Sequence, residues 1–205
     1  VIATPGWITG QSYMISAPLL CRVPSVLIHG SPVSPPDRFA RIIERHRISI
    51  LKAGSTFLRM LMTMESSRDL LANCNLTSLK LGTFCAEPVN AAVHAFAMQT
   101  LTPMYINSYW ATEHGGMVWS RPFGSDAHPL LPNAHTWPLA WIQGDIVDSE
   151  TGAPCKDGEQ GDVVIRNRYP CQALTVWKTE GFGSDMWKGD TERWSKYFTN
   201  SGYIQ

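Results

Sequence analysis

From residue 24 to about residue 110, short apolar runs alternate with segments whose apolar residues recur at helical spacing, and such a chain closes most simply into a parallel βαβ sheet. The runs are Val26-Leu27-Ile28, Ile48-Ser49-Ile50-Leu51, Leu79-Lys80-Leu81-Gly82-Thr83-Phe84 and Met104-Tyr105-Ile106-Asn107. Between the first two, residues 35–47 open with Pro-Pro-Asp at a helix start and place Phe39, Ile42, Ile43 and His46 on one face. Residues 57–64 and 89–101 repeat the helical pattern. Four strands joined by three right-handed crossovers are expected to run parallel, with their carboxyl ends along one edge. Open α/β sheets bind ligands outside that edge. The segments expected there are His29-Gly30-Ser31, Lys52-Ala53-Gly54-Ser55-Thr56, Cys85-Ala86-Glu87-Pro88 and residues 108–116.

Past about residue 122 the chain turns to Pro-rich loops and then to hairpin signals. Residues 142–147 and 161–165 read as two strands flanking the turn Asp148-Ser149-Glu150-Thr151-Gly152. Residues 185–198 read as an amphipathic helix presenting Met186, Trp187, Trp194 and Phe198. The expected fold is therefore α/β: a parallel βαβ layer over residues 1–121, followed by a small antiparallel β subdomain with a helix over residues 122–205.

Composition narrows the partners. With 44% hydrophobic and 17% charged residues the chain can bury a core, and its 17 basic residues balance its 17 acidic ones. That balance offers no field for nucleic acid or an anionic membrane surface. No apolar run reaches the ~18–20 residues of a membrane span. The five cysteines are odd in number and contain no C-x-x-C pair, and the six histidines are scattered, so neither a disulfide framework nor a zinc cluster is expected. A reduced, cytoplasmic setting fits this usage. The chain starts at Val1 and stops within the apolar Tyr203-Ile204-Gln205, and the expectation is an internal segment of a longer chain.

Three clusters carry chemistry. Asn107-Ser108-Tyr109-Trp110-Ala111-Thr112-Glu113-His114-Gly115-Gly116 follows the last strand and offers, in one loop, flat rings for a base, a hydroxyl for a phosphate and a carboxylate for a hard cation. Read blandly, it is an aromatic loop closing a sheet. Gly82-Thr83-Phe84-Cys85-Ala86-Glu87-Pro88-Val89-Asn90 ends the preceding strand and begins a helix, with free backbone groups at the same rim or simply a tight turn with Pro88 in the first helical turn. Gly6-Trp7-Ile8-Thr9-Gly10-Gln11-Ser12-Tyr13 brackets a Trp between glycines, a ligand wall or a core anchor.

Together the three clusters resemble the AMP-forming acyl-CoA synthetases of the adenylate-forming superfamily. The family's aromatic-Gly-x-Thr-Glu motif is similar to Tyr109-Trp110-Ala111-Thr112-Glu113, and its Gly-Glu-Pro motif to Ala86-Glu87-Pro88. In the acetyl-CoA synthetase branch the first motif reads Trp-Trp-Gln-Thr-Glu-Thr-Gly, and an upstream Gly-Trp-Val-Thr-Gly-His-Ser-Tyr matches residues 6–13 at six of eight positions. The resemblance covers essentially the whole chain and implies an internal fragment of the family's large amino-terminal domain. It implies that ATP, giving AMP, binds through Ala86, Glu87, Pro88, Asn107, Ser108, Tyr109, Trp110, Ala111 and Thr112. Thr112 would act on the α-phosphate and Glu113 on Mg²⁺, both in catalytic roles. Trp7, Ile8, Thr9, Cys85 and Trp110 would line the acyl pocket. The implied partners are a small carboxylic acid, ATP, CoA and the remainder of the chain's own parent.

Long-chain relatives carry Gly where Trp110 stands, and its side chain fills the space of an alkyl tail, so a short acid is expected: acetate, propionate, acrylate or 3-hydroxypropionate. Ala86, Tyr109, Ala111 and His114 depart from the family's Gly, Trp, Gln and Thr. Cys85 replaces Val and leaves room for a three-carbon or hydroxylated acid, which makes the ligase portion of propionyl-CoA synthases the narrower likeness. The family's Ser/Thr/Gly-rich phosphate loop, ribose-binding Asp and catalytic Lys are expected outside this chain, leaving it inactive alone. Rival readings are another adenylate-forming enzyme, such as an amino-acid adenylation domain or a luciferase-like oxygenase, and a non-catalytic scaffold module of a multienzyme.

Overall fold

The computed structural model describes residues 1–84, 87, 89–121, 130–132, 134, 137–178 and 189–204. The chain divides into two compact units, Val1–Ala111 with Trp119–Trp137, and Thr112–Val118 with Pro138–Gln205.

The first unit is built on a parallel sheet of three strands, β1 (Ile50–Lys52), β2 (Leu81–Phe84) and β3 (Tyr105–Asn107), in that spatial order. Lys52 pairs with Thr83 and Thr83 with Ile106, so each row of the sheet is fixed. Residues 8–21 form one continuous helix, α1, made of Ile8–Gly10, a π-helical stretch Gln11–Ser16 and Ala17–Cys21. The other helices are α2 (Arg38–His46), α3 (Ser55–Thr63), α4 (Ser67–Ala72) and α5 (Ala91–Thr100). Strand side chains alternate between faces. Leu51, Ala53, Phe84 and Tyr105 therefore share one face. Packed with them are Phe39 and Ile43 of α2, Phe57, Leu58 and Leu61 of α3, Leu71 of α4, and Val93, Phe96 and Ala97 of α5. Gly82 lies in the row of Leu51 and Tyr105, and a Cβ there would run into the Tyr105 ring, so the row admits that ring only beside a glycine. Asn90 starts α5 by accepting from Val93 N at 2.9 Å.

The expected first strand does not form, and among the described residues the parallel sheet has three strands rather than four. Val26-Leu27-Ile28 is irregular, with Leu27 65% exposed. The outer side of β1 is taken instead by Ile2, whose N–H donates to Lys52 O at 2.7 Å and which bridges Ala53 in parallel. His29-Gly30-Ser31 accordingly lies at no strand end. The Arg38 guanidinium latches it, donating to Ser31 O and His29 O at 2.7 Å each. The helix expected at 57–64 begins at Ser55, and α4 follows where none was expected. His46, expected on one face with Phe39, Ile42 and Ile43, is exposed.

Two short strands, β4 (Trp119–Ser120) and β5 (Trp137–Pro138), precede the second unit's hairpin of β6 (Gly144–Val147) and β7 (Asp162–Ile165). The hairpin is antiparallel, with Gly144 opposite Ile165 and Val147 opposite Asp162. Its turn holds as expected: Asp148 Oδ1 accepts from Glu150 N at 3.2 Å and from Thr151 N and Oγ1 at 2.7 Å each. Of the helix expected at 185–198, residues 185–188 lie outside the described residues. The described helix, α6, is only Thr191–Ser195, capped by Asp190, whose Oδ1 accepts from Arg193 N at 2.8 Å. Trp194 and Phe198 still meet edge to face, 5.3 Å apart. No described helix is long and apolar enough to cross a membrane.

Candidate functional site

In the first unit Asn107 ends β3, and Ser108, Tyr109, Trp110 and Ala111 follow it directly. Asn107, Ser108 and Trp110 are buried, at 5%, 1% and 6% exposure, while Tyr109 and Ala111 are half-buried. The Tyr109 backbone is clamped to β4, its N–H donating to Trp119 O at 2.9 Å and its carbonyl accepting from Trp119 N at 3.1 Å. The ring stands edge to face with Trp119 at 5.9 Å, and burial raises the pKa of its phenol, which stays neutral. Trp110 meets the Tyr13 ring at 5.3 Å and an interplanar angle of 84°. Ile8 and Thr9 are half-buried on α1, whereas Trp7 is 72% exposed. Cys85, Ala86 and Pro88 lie outside the described residues.

Glu87 is described, and its side chain does something the sequence did not signal. Its Oε2 accepts from Ser55 Oγ at 2.7 Å, Thr56 N at 2.9 Å and Thr56 Oγ1 at 2.7 Å, at the amino end of α3. Gly54, at the N-cap position, has no side chain to serve those donors, so a carboxylate from 31 residues along the chain supplies the cap. The hydrogen bonds from Ser55 and then Thr56 hold the Glu87 pKa below its ordinary value.

In the second unit Thr112–His114 forms one 3₁₀ turn, closed by Gly115 N donating to Thr112 O at 3.0 Å. Glu113 is anchored through its backbone, its carbonyl accepting from Ala173 N at 2.9 Å. His114 is buried. Gly115 has φ +72°, and a Cβ there would strike Cys171 O, so glycine is required after the turn. The Thr112 side chain is exposed and the Glu113 side chain half-exposed, and no described residue hydrogen-bonds to either. A cavity of about 390 Å³ in this unit, lined by Arg168, Tyr169, Gln172, Leu174, Trp194 and Phe198 among others, includes none of the expected site residues.

Sequence reading did not single out Lys52. It is 3% exposed at the end of β1, with its ammonium 4.2 Å from the centre of the Tyr13 ring. Thr83 and Ser108, 5% and 1% exposed, bond to each other through their hydroxyls at 2.9 Å. Lys52 and Ser108 fall in segments expected past the strand ends and Thr83 in the β2 run, and only the pairing of the strands marks the face they share.

The AMP-binding enzyme family matches residues 1–173. The acetyl-coenzyme A synthetase of Chlorobaculum tepidum is 32% identical over 211 residues, covering 96% of this chain and 29% of that protein. The crystal structure of Brucella canis acyl-CoA synthetase superposes with a TM-score of 0.69 at 27% identity, over 80% of this chain and 29% of that one. ATP-bound MatB from Rhodopseudomonas palustris superposes with a TM-score of 0.72 at 18% identity, over 98% of this chain and 35% of its own. The chain thus spans between a quarter and a third of the length of the curated relatives it matches. With the α/β fold shared and residues 1–173 of 205 matched, the chain belongs to the AMP-binding enzyme family.

Proposed function

We propose that the chain forms the acyl and adenine walls of an AMP-forming acyl-CoA ligase for short carboxylic acids, within a longer parent protein. The observation that carries this reading is the segment Tyr109–Glu113. Its buried Trp110, backbone-clamped Tyr109 and unengaged Thr112 and Glu113 side chains follow one another directly after β3. Residues 1–121 supply the pocket walls and residues 122–205 the β-rich part.

In the first half-reaction a carboxylate oxygen of the acid attacks the α-phosphorus of ATP in line and pyrophosphate leaves. In the second, the CoA thiolate attacks the acyl carbonyl and AMP leaves. Tyr109 offers the adenine a flat, neutral ring, together with the backbone of Ala86, Glu87 and Pro88. The carboxylate of Glu87 is itself tied to Ser55 and Thr56 at the start of α3. The Thr112 hydroxyl donates to an α-phosphate oxygen. The half-exposed Glu113 carboxylate fits Mg²⁺, which proteins hold with one or two carboxylates plus substrate phosphates and which neutralises charge on the phosphate oxygens. Trp110 ends the acyl pocket, with Trp7, Ile8, Thr9 and Cys85 as its further walls in this reading. CoA is the acyl acceptor. Cys85 in place of a larger apolar residue suits a three-carbon or hydroxylated acid, as in the ligase portion of propionyl-CoA synthases.

The test is AMP release by the complete parent enzyme with acetate, propionate, acrylate, 3-hydroxypropionate and hexanoate. The expected result is a preference for the short acids of at least about tenfold, which W110G shifts toward hexanoate. A wild-type preference for hexanoate, or no AMP with any acid, sinks the proposal. Pyrophosphate exchange by the isolated chain contradicts its inactivity.

A further inference from the structure

Parallel strands buried on both faces are ordinarily apolar on both. Here one face of β1, β2 and β3 is the apolar core, while the other carries Lys52 and Thr83 in one row with the buried Ile106, and Ser108 just past β3. Lys52, Thr83 and Ser108 are more than nine-tenths buried, at 3%, 5% and 1% exposure. They lie at the carboxyl ends of their strands, the edge where open α/β sheets take ligands.

Aromatic rings from two other places in the sequence attend this row. Tyr13 belongs to the π-helical stretch of α1, a geometry that recurs at functional sites. Its ring holds the Lys52 ammonium at 4.2 Å and meets Trp110 edge to face at 5.3 Å. The hydroxyls have a fixed direction. Ser108 Oγ donates to Phe84 O at 2.9 Å, which uses its only proton, so Thr83 Oγ1 is the donor in the 2.9 Å bond to Ser108. That leaves the lone pairs of Thr83 Oγ1 as acceptors in the row of Lys52.

We infer that Lys52, with Thr83 beside it, is a recognition subsite for a second oxygen function at the far end of the acid substrate, a hydroxyl, oxo or carboxylate group. This rests on the ligase reading above. In that reading Trp110 marks the end of the acyl chain, and the ammonium sits on the Tyr13 ring that touches Trp110. An ammonium has three donors and no acceptor, so it rewards an oxygen and gives nothing to a methyl terminus. Thr83 Oγ1 can accept from a hydroxyl held there. A pocket built to hydrogen-bond a substrate oxygen discriminates against the analogue lacking it far more strongly than one that only measures size.

The experiment compares 3-hydroxypropionate, malonate and propionate as substrates of the complete parent enzyme, in wild type, K52M and K52R. The expected result is that one oxygen-bearing acid exceeds propionate in kcat/KM by at least about tenfold. In K52M that ratio falls to near one through a raised KM for the oxygen-bearing acid, and K52R keeps part of it. Which of the two acids wins tells hydroxyl from carboxylate. K52Q, neutral and of similar reach, reads the same ratio where K52M fails to fold. Calorimetric titration of the same acids into wild type and variant reads the preference without turnover. Propionate equalling both other acids in wild type, or a lysine substitution that lowers all three by one factor, overturns the inference while leaving the ligase reading intact. No AMP with any acid together with no binding of any acid overturns both.

Discussion

The two faces of the β1–β2–β3 sheet share a backbone and differ in almost everything else. One is filled by Phe84, Tyr105, Leu51 and the apolar sides of α2, α3, α4 and α5. The other buries, beside Ile106, an ammonium and two hydroxyls nearly as completely. Burying apolar area stabilises a fold without specifying chemistry, whereas burying polar groups costs free energy unless they are satisfied. The core face therefore holds the sheet together, and the opposite face is held in place by it. Substitutions on the two faces should separate stability from substrate choice.

The largest expected effect is on the core face. Phe84 is fully buried between His94, edge to face at 5.0 Å, and Tyr105, stacked at 5.4 Å. Phe84→Ala should cost about 3–5 kcal/mol in urea unfolding. A loss below about 1 kcal/mol would mean that this face is not the structural one.

Next comes a pH effect from the same face. His94 is fully buried, and its Nε2 lies 2.7 Å from Tyr105 O, so that nitrogen carries the proton and donates. Burial lowers its pKa below the ordinary value, outweighing the hydrogen bond to Tyr105 O, which raises it. The unfolded chain then binds a proton near pH ~6.5 that the folded chain refuses. Stability is full above that pH and falls as the pH drops from it toward the lower folded value, with a slope of at most about 1.4 kcal/mol per pH unit. His94→Phe should remove this slope, whatever it does to stability at neutral pH. An unchanged slope between about pH 6.5 and 5 would locate the titrating group elsewhere.

The contrast between faces also explains what the sequence reveals. The β1, β2 and β3 runs, the α5 pattern and the 148–152 turn are legible because each is written in local chemistry: alternation, helical period, an Asp that caps its own turn. Val26-Leu27-Ile28 reads like a strand, but a strand exists only with a partner, and the outer edge of β1 is occupied by Ile2 from the other end of the segment. The motif residues Tyr109 to Glu113 were legible as a group. Lys52 was legible only as part of a segment at the ligand edge, because its own meaning lies in a ring 39 positions away in the sequence and in a row shared with Thr83. The Glu87 cap was invisible for the same reason.

On the polar face the stability effect should be smaller and the functional one larger. Thr83→Val keeps the shape and removes the donor to Ser108 Oγ, which retains its own bond to Phe84 O. The expected cost is about 1 kcal/mol in urea unfolding. In the complete parent enzyme the same change should narrow the preference for an oxygen-bearing acid. Destabilisation as severe as that of Phe84→Ala, with substrate preference unmoved, would erase the distinction between the faces.

The smallest effect belongs to Glu87, whose carboxylate caps the start of α3. Its pKa is lowered by the Ser55 and then the Thr56 hydrogen bonds, so its contribution is present above the ordinary carboxylate value, about 4.3, and is lost as pH falls through the lower folded value. The side chain is exposed, so water competes for the same donors and the effect is discounted accordingly. Glu87→Gln keeps an acceptor oxygen for Thr56 N and loses only the charge, with an expected cost of about 0.5 kcal/mol or less at neutral pH. Glu87→Ala removes the cap altogether and should cost about 1 kcal/mol. The readout that separates a cap from a mere surface contact is amide exchange at Thr56. The loss of protection there should be greater in Glu87→Ala than in Glu87→Gln, and equal protection in both would show that the α3 start is held without Glu87.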